Sequence, residues 1–428
     1  MTFSGPAKCL VSVLFGLILG LLAPVAKGQD MGQDMVTEPG TAQGMRDWIS
    51  DFRPRALQSG ITPETFDRLM PQVSFRPDVL ERDRRQDEFT KTIWEYLDKA
   101  ASDDRIAAGQ KALGKYEPLL DQIEHRYRVD RAVVLAIWGL ESAFGVVRGD
   151  IPVLDALATL SYDARRAVFF EAELIAALQM VQSAQVTPGA FVGSWAGASG
   201  HTQFMPTSVL ATAVDFQGGK LPDLWSDDPS DALASTAAYL AKAGWKAGVP
   251  WGWEVTLSKG FDIASTGGRT QKPMTAWAAL GITLADGAPL PSGDWAALIL
   301  PAGARGPAFL ITDNFAAIEA YNRADAYVIA VGHLSDRISG GPAISHAWPR
   351  DLRALTLPER QELQSRLMAE GLYAGQPDGK VGPLTLAAVK GFQQTQGMPP
   401  DRYASLPVLE ALRAKQGPVV PAPLVAQE

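Results

Sequence analysis

The stretch DRAVVLAIWGLESAFG, from Asp130 to Gly145, decides how the chain is read. Asp130 is placed to cap a helix whose Val133, Ile137, Leu140 and Phe144 share one face, and Gly145 is placed to end it. Glu141 borders that apolar stripe and falls in the last turn, where a helix presents the negative end of its dipole. Burial and dipole both disfavour a carboxylate and would raise its pKa, which suits a general acid acting on a glycosidic oxygen. Spacing alone does not assign that role, because a lone glutamate near a helix end is more often a solvated residue. A conventional glycosidase also uses a second carboxylate at a set distance. Asp150, Asp155, Asp163 and Asp215 are candidates for it, and spacing ranks none above the others.

Outward from this stretch, helical periodicity dominates from Met45 to about Ala184. Thr62-Pro63-Glu64 reads as a cap followed by proline in the first turn. Residues 186–205 shift to glycine, serine, alanine and aromatics, a loop. Asp231 is a candidate N-cap for a helix running to Ala243 and closed by Gly244. Short strands are expected at 253–257, 296–300 and 308–312, the last two joined as a hairpin, before helix returns over 314–338. The result is a mainly α domain over 45–339 with a small β insertion. After Gly340-Gly341-Pro342 comes a separate module over 352–415, and 416–428 is a proline-rich tail.

Bulk properties exclude several function classes. The 428 residues carry a net charge of -8, which leaves no basic footprint for nucleic acid. Lys8, the apolar run 10–22 and Ala23-Pro24-Val25-Ala26 describe a secretory signal peptide over 1–28, followed by a linker over 29–44. An uncleaved anchor is the alternative. The run is short for a membrane span, so the mature chain is expected in the periplasm, not inserted in the membrane, as a monomer. Cys9, the single cysteine, precedes the apolar run, so neither a lipid anchor nor a disulfide is expected. His125, His201, His333 and His346 form no metal-ligand pattern; no metal or cofactor is expected.

Four ordered segments carry a more specific signal: 137–178 (IWGLESAFG onward), 193–216 (GSWAGASGHTQFMPTSVLATAVDF), 224–245 (LWSDDPSDALASTAAYLAKAGW) and 320–338 (AYNRADAYVIAVGHLSDRI). Together they resemble the B-type lytic murein transglycosylases. The resemblance implies a lysozyme-like α-helical domain that cleaves the β-1,4 bond between N-acetylmuramic acid and N-acetylglucosamine without water. It also implies that Glu141 is the only catalytic carboxylate. Glu141 would protonate the leaving oxygen and then accept the proton of the muramoyl C6 hydroxyl as it attacks C1, leaving a 1,6-anhydro end. The nucleophile belongs to the substrate, so no second carboxylate is needed.

The same resemblance implies substrate-binding roles for Ser194, Gln203, Arg165, Arg166, Tyr321, Asn322 and Tyr327, with Tyr239 a weaker candidate. Each has a plainer reading: a turn bond for Ser194 and Gln203, a surface ion pair for Arg165 and Arg166, core packing for Tyr239. Two departures stand out. His201-Thr202 replaces the Tyr-Gly or similar pair usual before the glutamine, which would alter a subsite or give the cleft a group titrating near neutral pH. In addition, 215–223 (DFQGGKLPD) lacks the alternating oxygen ligands of a calcium loop. Beyond the domain, DGKVGPLT (378–385) and AVKGFQ (388–393) resemble a three-helix peptidoglycan-binding domain, which would raise local substrate concentration. A water-admitting, lysozyme-like muramidase and a non-catalytic peptidoglycan-binding scaffold are the alternative functions.

Overall fold

The computed structural model describes residues 40–85, 91–265 and 269–417; the signal-peptide reading and nearly all of the proline-rich tail lie outside them. The chain forms two compact units that do not follow chain order. Of the described residues, one unit combines 40–85 with 101–247 and 317–341; the other combines 91–100, 248–265, 269–316 and 342–417.

The first unit is helical. The helix Arg131–Ser142 packs against Asp103–Lys115, Glu117–Tyr127, Ser230–Lys242 and Asp325–Ile338. Surrounded on every side, it buries Ala132 through Gly139 without interruption, and so is not the one-faced helix that the spacing suggested. Asp130 caps it, accepting from the Ala132 amide at 2.8 Å.

Its far end differs from the expectation. The helix stops at Ser142, and Ala143 (φ 50°), Phe144 (φ 59°) and Gly145 (φ 85°) form a left-handed run. Phe144 therefore leaves the helix and folds back, its ring 5.7 Å from that of Trp138. A Cβ on Gly139 would lie 2.6 Å from the Phe144 ring; only glycine leaves room for the fold-back.

Two further boundaries moved for local reasons. Ser230–Lys242 begins two residues early, with Pro229 at the cap position, and the Asp231 carboxylate instead accepts from the amides of Phe216 (2.8 Å) and Asp223 (2.9 Å). The expected helix over 314–338 is two, Asp313–Glu319 and Asp325–Ile338. Asn322 Oδ1 accepts from the Ala324 amide at 3.0 Å, a side-chain turn that competes with helix. An antiparallel pair, Ile151–Pro152 with Val192–Gly193, was not read from the sequence, being too short to show alternation.

The second unit holds a five-stranded antiparallel sheet in the spatial order Lys272–Pro273, Trp295–Ile299, Ala308–Ile311, Gly252–Thr256, Thr283–Leu284. Trp277, from the helix Met274–Ala279, is buried against Val255, Leu298 and Leu310, and its indole donates to Ala296 O at 2.8 Å. The same unit contains three C-terminal helices, Leu357–Ala369, Pro383–Thr395 and Leu406–Gln416, around Leu363, Leu367, Val389, Phe392, Leu409 and Leu412. Glu254 of the sheet holds the segment that leads to these helices. Its carboxylate accepts from the Ser345 and His346 amides at 2.8 Å each and lies 2.8 Å from His346 Nδ1.

Gln364 organises the helical module. It is fully buried, accepts from the Gly379 amide at 2.7 Å and donates to Lys380 O at 3.0 Å, bracing the 378–385 turn. Gln364→Ala orphans buried backbone groups and is expected to cost about 1–3 kcal/mol, read as a lower thermal midpoint of the full chain with the helical signature otherwise retained.

Candidate active site

Glu141 lies in the last turn of its helix, 3% exposed. The hydroxyl of Tyr327 donates to its Oε1 at 2.6 Å. Tyr327 belongs to the neighbouring helix Asp325–Ile338 and is itself buried, so the helix packing that forms the core also forms this bond.

The segment between the helices Asp313–Glu319 and Asp325–Ile338 supplies Tyr321. Its hydroxyl donates to the Thr202 carbonyl. Burial pushes that hydroxyl well above the ordinary tyrosine range, and the nearby charge of Glu141 pushes it further. At neutral pH Tyr321 is thus a proton donor beside the carboxyl. Its ring packs edge-on against Tyr239 at 5.2 Å and tilted against Phe204 at 5.7 Å. Tyr239 donates to Ala320 O at 2.7 Å: a buttress behind Tyr321. Asn322 is buried and spends its carbonyl on the turn described above.

Residues 193–206 form a tight loop rather than an open one. Ser199 and Phe204 exchange backbone bonds at 3.0 and 3.1 Å. Ser194 Oγ accepts from the amides of Ala196 (3.3 Å) and Ala198 (3.2 Å), which leaves its single O–H to donate outward. Gln203, at φ 53° and 4% exposed, donates through Nε2 to Arg148 O at 2.9 Å and Gly200 O at 2.7 Å. Both N–H groups are committed to the loop, so only its carbonyl oxygen is left to meet a ligand.

Arg165 and Arg166 converge on one buried carboxylate. Asp83, whose side chain is 2% exposed, takes an ion pair from each; Arg166 lies at 2.5 Å and Arg165 also donates to Asp83 O at 2.8 Å. The Arg166 guanidinium sits 4.7 Å over the Phe170 ring. The structure brings these two to Asp83, Tyr327 to Glu141, and Tyr321 to the Thr202 carbonyl.

His201 is buried, not an open cleft group titrating near neutral pH. It is 4% exposed, with Nδ1 3.2 Å from the indole Nε1 of Trp138 and Nε2 2.8 Å from Ser226 O. Burial, the largest cause, pushes its pKa below the usual histidine value, and Arg148 adds to this. The candidate second carboxylates are engaged elsewhere. Asp155 accepts from the Ser74 amide and Asp163 pairs with Arg84, while Asp150 lies at the surface. Asp215 accepts from the amides of Gly218, Gly219 and Lys220 at 2.7–2.8 Å, so this turn is closed by its own backbone. Among the described residues no group of three or more acidic, histidine or cysteine side chains is placed to hold a metal.

The sequence reading missed Trp138, Ser142 and Arg148. Ser142 Oγ donates to His201 O at 2.5 Å, and Arg148 donates to Trp225 O and Ser226 O at 2.6 and 2.9 Å. Their only sequence signal was proximity to Glu141.

Comparison with known proteins agrees with this architecture. The family model described as Transglycosylase SLT domain matches residues 44–336, and a peptidoglycan binding domain model matches 356–412. The chain is 34% identical over 251 residues to the membrane-bound lytic murein transglycosylase B of Escherichia coli (strain K12), spanning 57% of this chain and 66% of that protein, just under two thirds. The crystal structure of SltB3 from Pseudomonas aeruginosa in complex with NAG-NAM-pentapeptide superposes with a TM-score of 0.84 at 45% identity, covering 87% of this chain and all of that one. Soluble lytic transglycosylase SltB1 of the same organism gives 0.61 at 30% identity, over 70% of this chain and 98% of that one. The chain belongs to the transglycosylase SLT domain family, as a lytic transglycosylase carrying a C-terminal peptidoglycan-binding domain.

Proposed function

We propose that Glu141 is the single acid/base of this enzyme, acting in the periplasm on the β-1,4 bond between N-acetylmuramic acid and N-acetylglucosamine. The observation that carries the reading is a carboxyl 3% exposed, held at 2.6 Å by the Tyr327 hydroxyl, with the Tyr321 hydroxyl beside it. The reaction starts from the neutral carboxylic acid, the form needed to protonate a leaving oxygen. The proton passes from Glu141 to the glycosidic oxygen as its bond to C1 breaks. The C6 hydroxyl of the muramoyl residue then bonds to C1 and returns its proton to Glu141. Atoms and charge balance, no water is consumed, and the glutamate ends as it began. Glu141, Tyr327, Tyr321, Ser194 and Gln203 all belong to the first compact unit.

Supporting roles differ in directness. Tyr327 hydrogen-bonds the carboxyl, while Tyr321 lies near it with its hydroxyl held by the Thr202 carbonyl; the O–H of Ser194 and the carbonyl of Gln203 are the groups the 193–206 loop offers to a sugar. Arg165 and Arg166 hold the fold through Asp83. The C-terminal module tethers the enzyme to peptidoglycan, raising effective concentration without adding chemistry. The ligands in the SltB3 complexes, NAG-NAM-pentapeptide and NAG-anhNAM-pentapeptide, fit this substrate class and this product.

Digestion of purified sacculi, with the fragments weighed by mass spectrometry, tests the reaction. Anhydro-ended muropeptides are expected. Reducing-end products, heavier by one water or about 18 Da, would instead mean that water completes the cleavage, as in a hydrolase.

A further inference from the structure

We propose that His201 is a positioning residue for Glu141, gripping the end of the Arg131–Ser142 helix on both sides of the carboxyl and doing so only while its imidazole is neutral. One grip is through the side chain: the Trp138 indole, three residues before Glu141, donates to Nδ1 at 3.2 Å. The other is through the backbone: Ser142, the residue after Glu141, donates its hydroxyl to His201 O at 2.5 Å, and the same Oγ accepts from the Gly145 amide at 2.9 Å. His201 is itself anchored, its amide donating to Leu224 O at 3.0 Å. Packing is tight enough that a Cβ on Gly145 would lie 2.6 Å from Nδ1. The next residue, Thr202, receives the Tyr321 hydroxyl. Two consecutive residues of one loop thus fix the helix turn, and the tyrosine, that frame Glu141.

The partners dictate the tautomer. An indole nitrogen can only donate, so Nδ1 must be bare; Nε2 faces the Ser226 carbonyl at 2.8 Å and must carry the proton. A second proton has no place. It would set Nδ1–H against the indole N–H, break the Trp138 bond, and put a cation 3.4 Å from the Arg148 guanidinium. Arg148 is held there by Trp225 O, Ser226 O and, at 3.2 Å, Asp227. The charged groups facing His201 are Arg148, Asp227 and Asp223; burial and Arg148 oppose protonation while the two aspartates favour it, and burial is the largest influence. Held below its usual value, the histidine contributes stability fully above the unfolded pKa of about 6.5. That contribution is lost as pH falls toward the folded value.

This inference rests on Glu141 as acid/base, and it separates two limbs of the pH profile. Glu141 enters the reaction protonated, so its ionisation limits activity on the alkaline side. A fall in kcat on the acid side needs another group, and His201 is that group.

The test is kcat and KM on soluble peptidoglycan strands from about pH 4.5 to 8 for the full-length protein, His201→Gln and His201→Phe. Glutamine can accept from Trp138 and donate to Ser226 O but does not titrate in this range. His201→Gln is expected to keep most of the neutral-pH kcat and to lose the acid-side fall. His201→Phe is expected to lower kcat roughly 10- to 100-fold, the scale of a displaced catalytic group, with KM unchanged. Should that variant not fold, Trp138→Phe removes the same bond from the other side and is expected to lower kcat alike. An acid limb in His201→Gln identical to that of the unaltered enzyme would overturn the proposal, as would full kcat in His201→Phe or its substitute. Failure of the Glu141 reading shows differently: Glu141→Gln would itself be active.

Discussion

Replacing Glu141 with glutamine is expected to remove glycan cleavage, lowering kcat about 1,000-fold or more while the protein still binds sacculi. The magnitude follows from position. General acid–base catalysis contributes on the order of 100- to 10,000-fold, and the proposed mechanism asks one group to act as acid and then as base. Glutamine preserves size and can still accept from Tyr327, whose hydroxyl lies 2.6 Å from Glu141 Oε1, so the helix and its neighbours stay in place. Release of anhydro-muropeptides is the readout, and binding of the variant to sacculi is the control for folding and for the C-terminal module. A Glu141→Gln enzyme releasing the same products at the same rate would remove Glu141 from the chemistry altogether.

The second large effect is on stability. Removing Arg165 and Arg166 together leaves the Asp83 carboxylate, 2% exposed, without the two cations that pair with it. An uncompensated buried charge costs about 3–5 kcal/mol, on the order of 10 °C in the thermal midpoint for a unit of this size. The double alanine variant is expected to melt early while KM at a permissive temperature stays within about 2-fold, well inside the effect of losing one direct contact. A large rise in KM with an unchanged midpoint would instead place the arginines on the substrate. Adding Asp83→Asn to the double variant should recover part of the loss, because the stranded charge is then gone.

How much of this was legible in the sequence depends on the range of the cause. The Asp130 cap, the helix it starts, and the DGKVGPLT turn with Gly379 at φ 75° depend on residues a few positions apart, and pattern alone located them. Glu141 was legible as a carboxylate at a helix end, and the four ordered segments gave it a role. The same segments named Tyr321, Asn322 and Tyr327 as neighbours of the cleft without saying which would touch the carboxyl. Where a side chain had competing bonds on offer, local reading misjudged it: Phe144 turned back onto Trp138 instead of extending the helix, and Asp231 served distant amides instead of capping its own helix.

By itself the sequence determined that the chain is mainly α with a β insertion and a terminal helical module, and it singled out Glu141 as the candidate acid/base. Only the tertiary structure decided the environment of that residue. The Tyr327 bond spans 186 positions and the Trp138–His201 bond spans 63, separations over which no periodicity or spacing carries information. It likewise decided that Arg165 and Arg166 face Asp83, 82 and 83 positions away. The physical reason is common to these cases. A buried polar group must find a partner wherever the packed helices put one, and which partner that is becomes fixed only when the core closes around it.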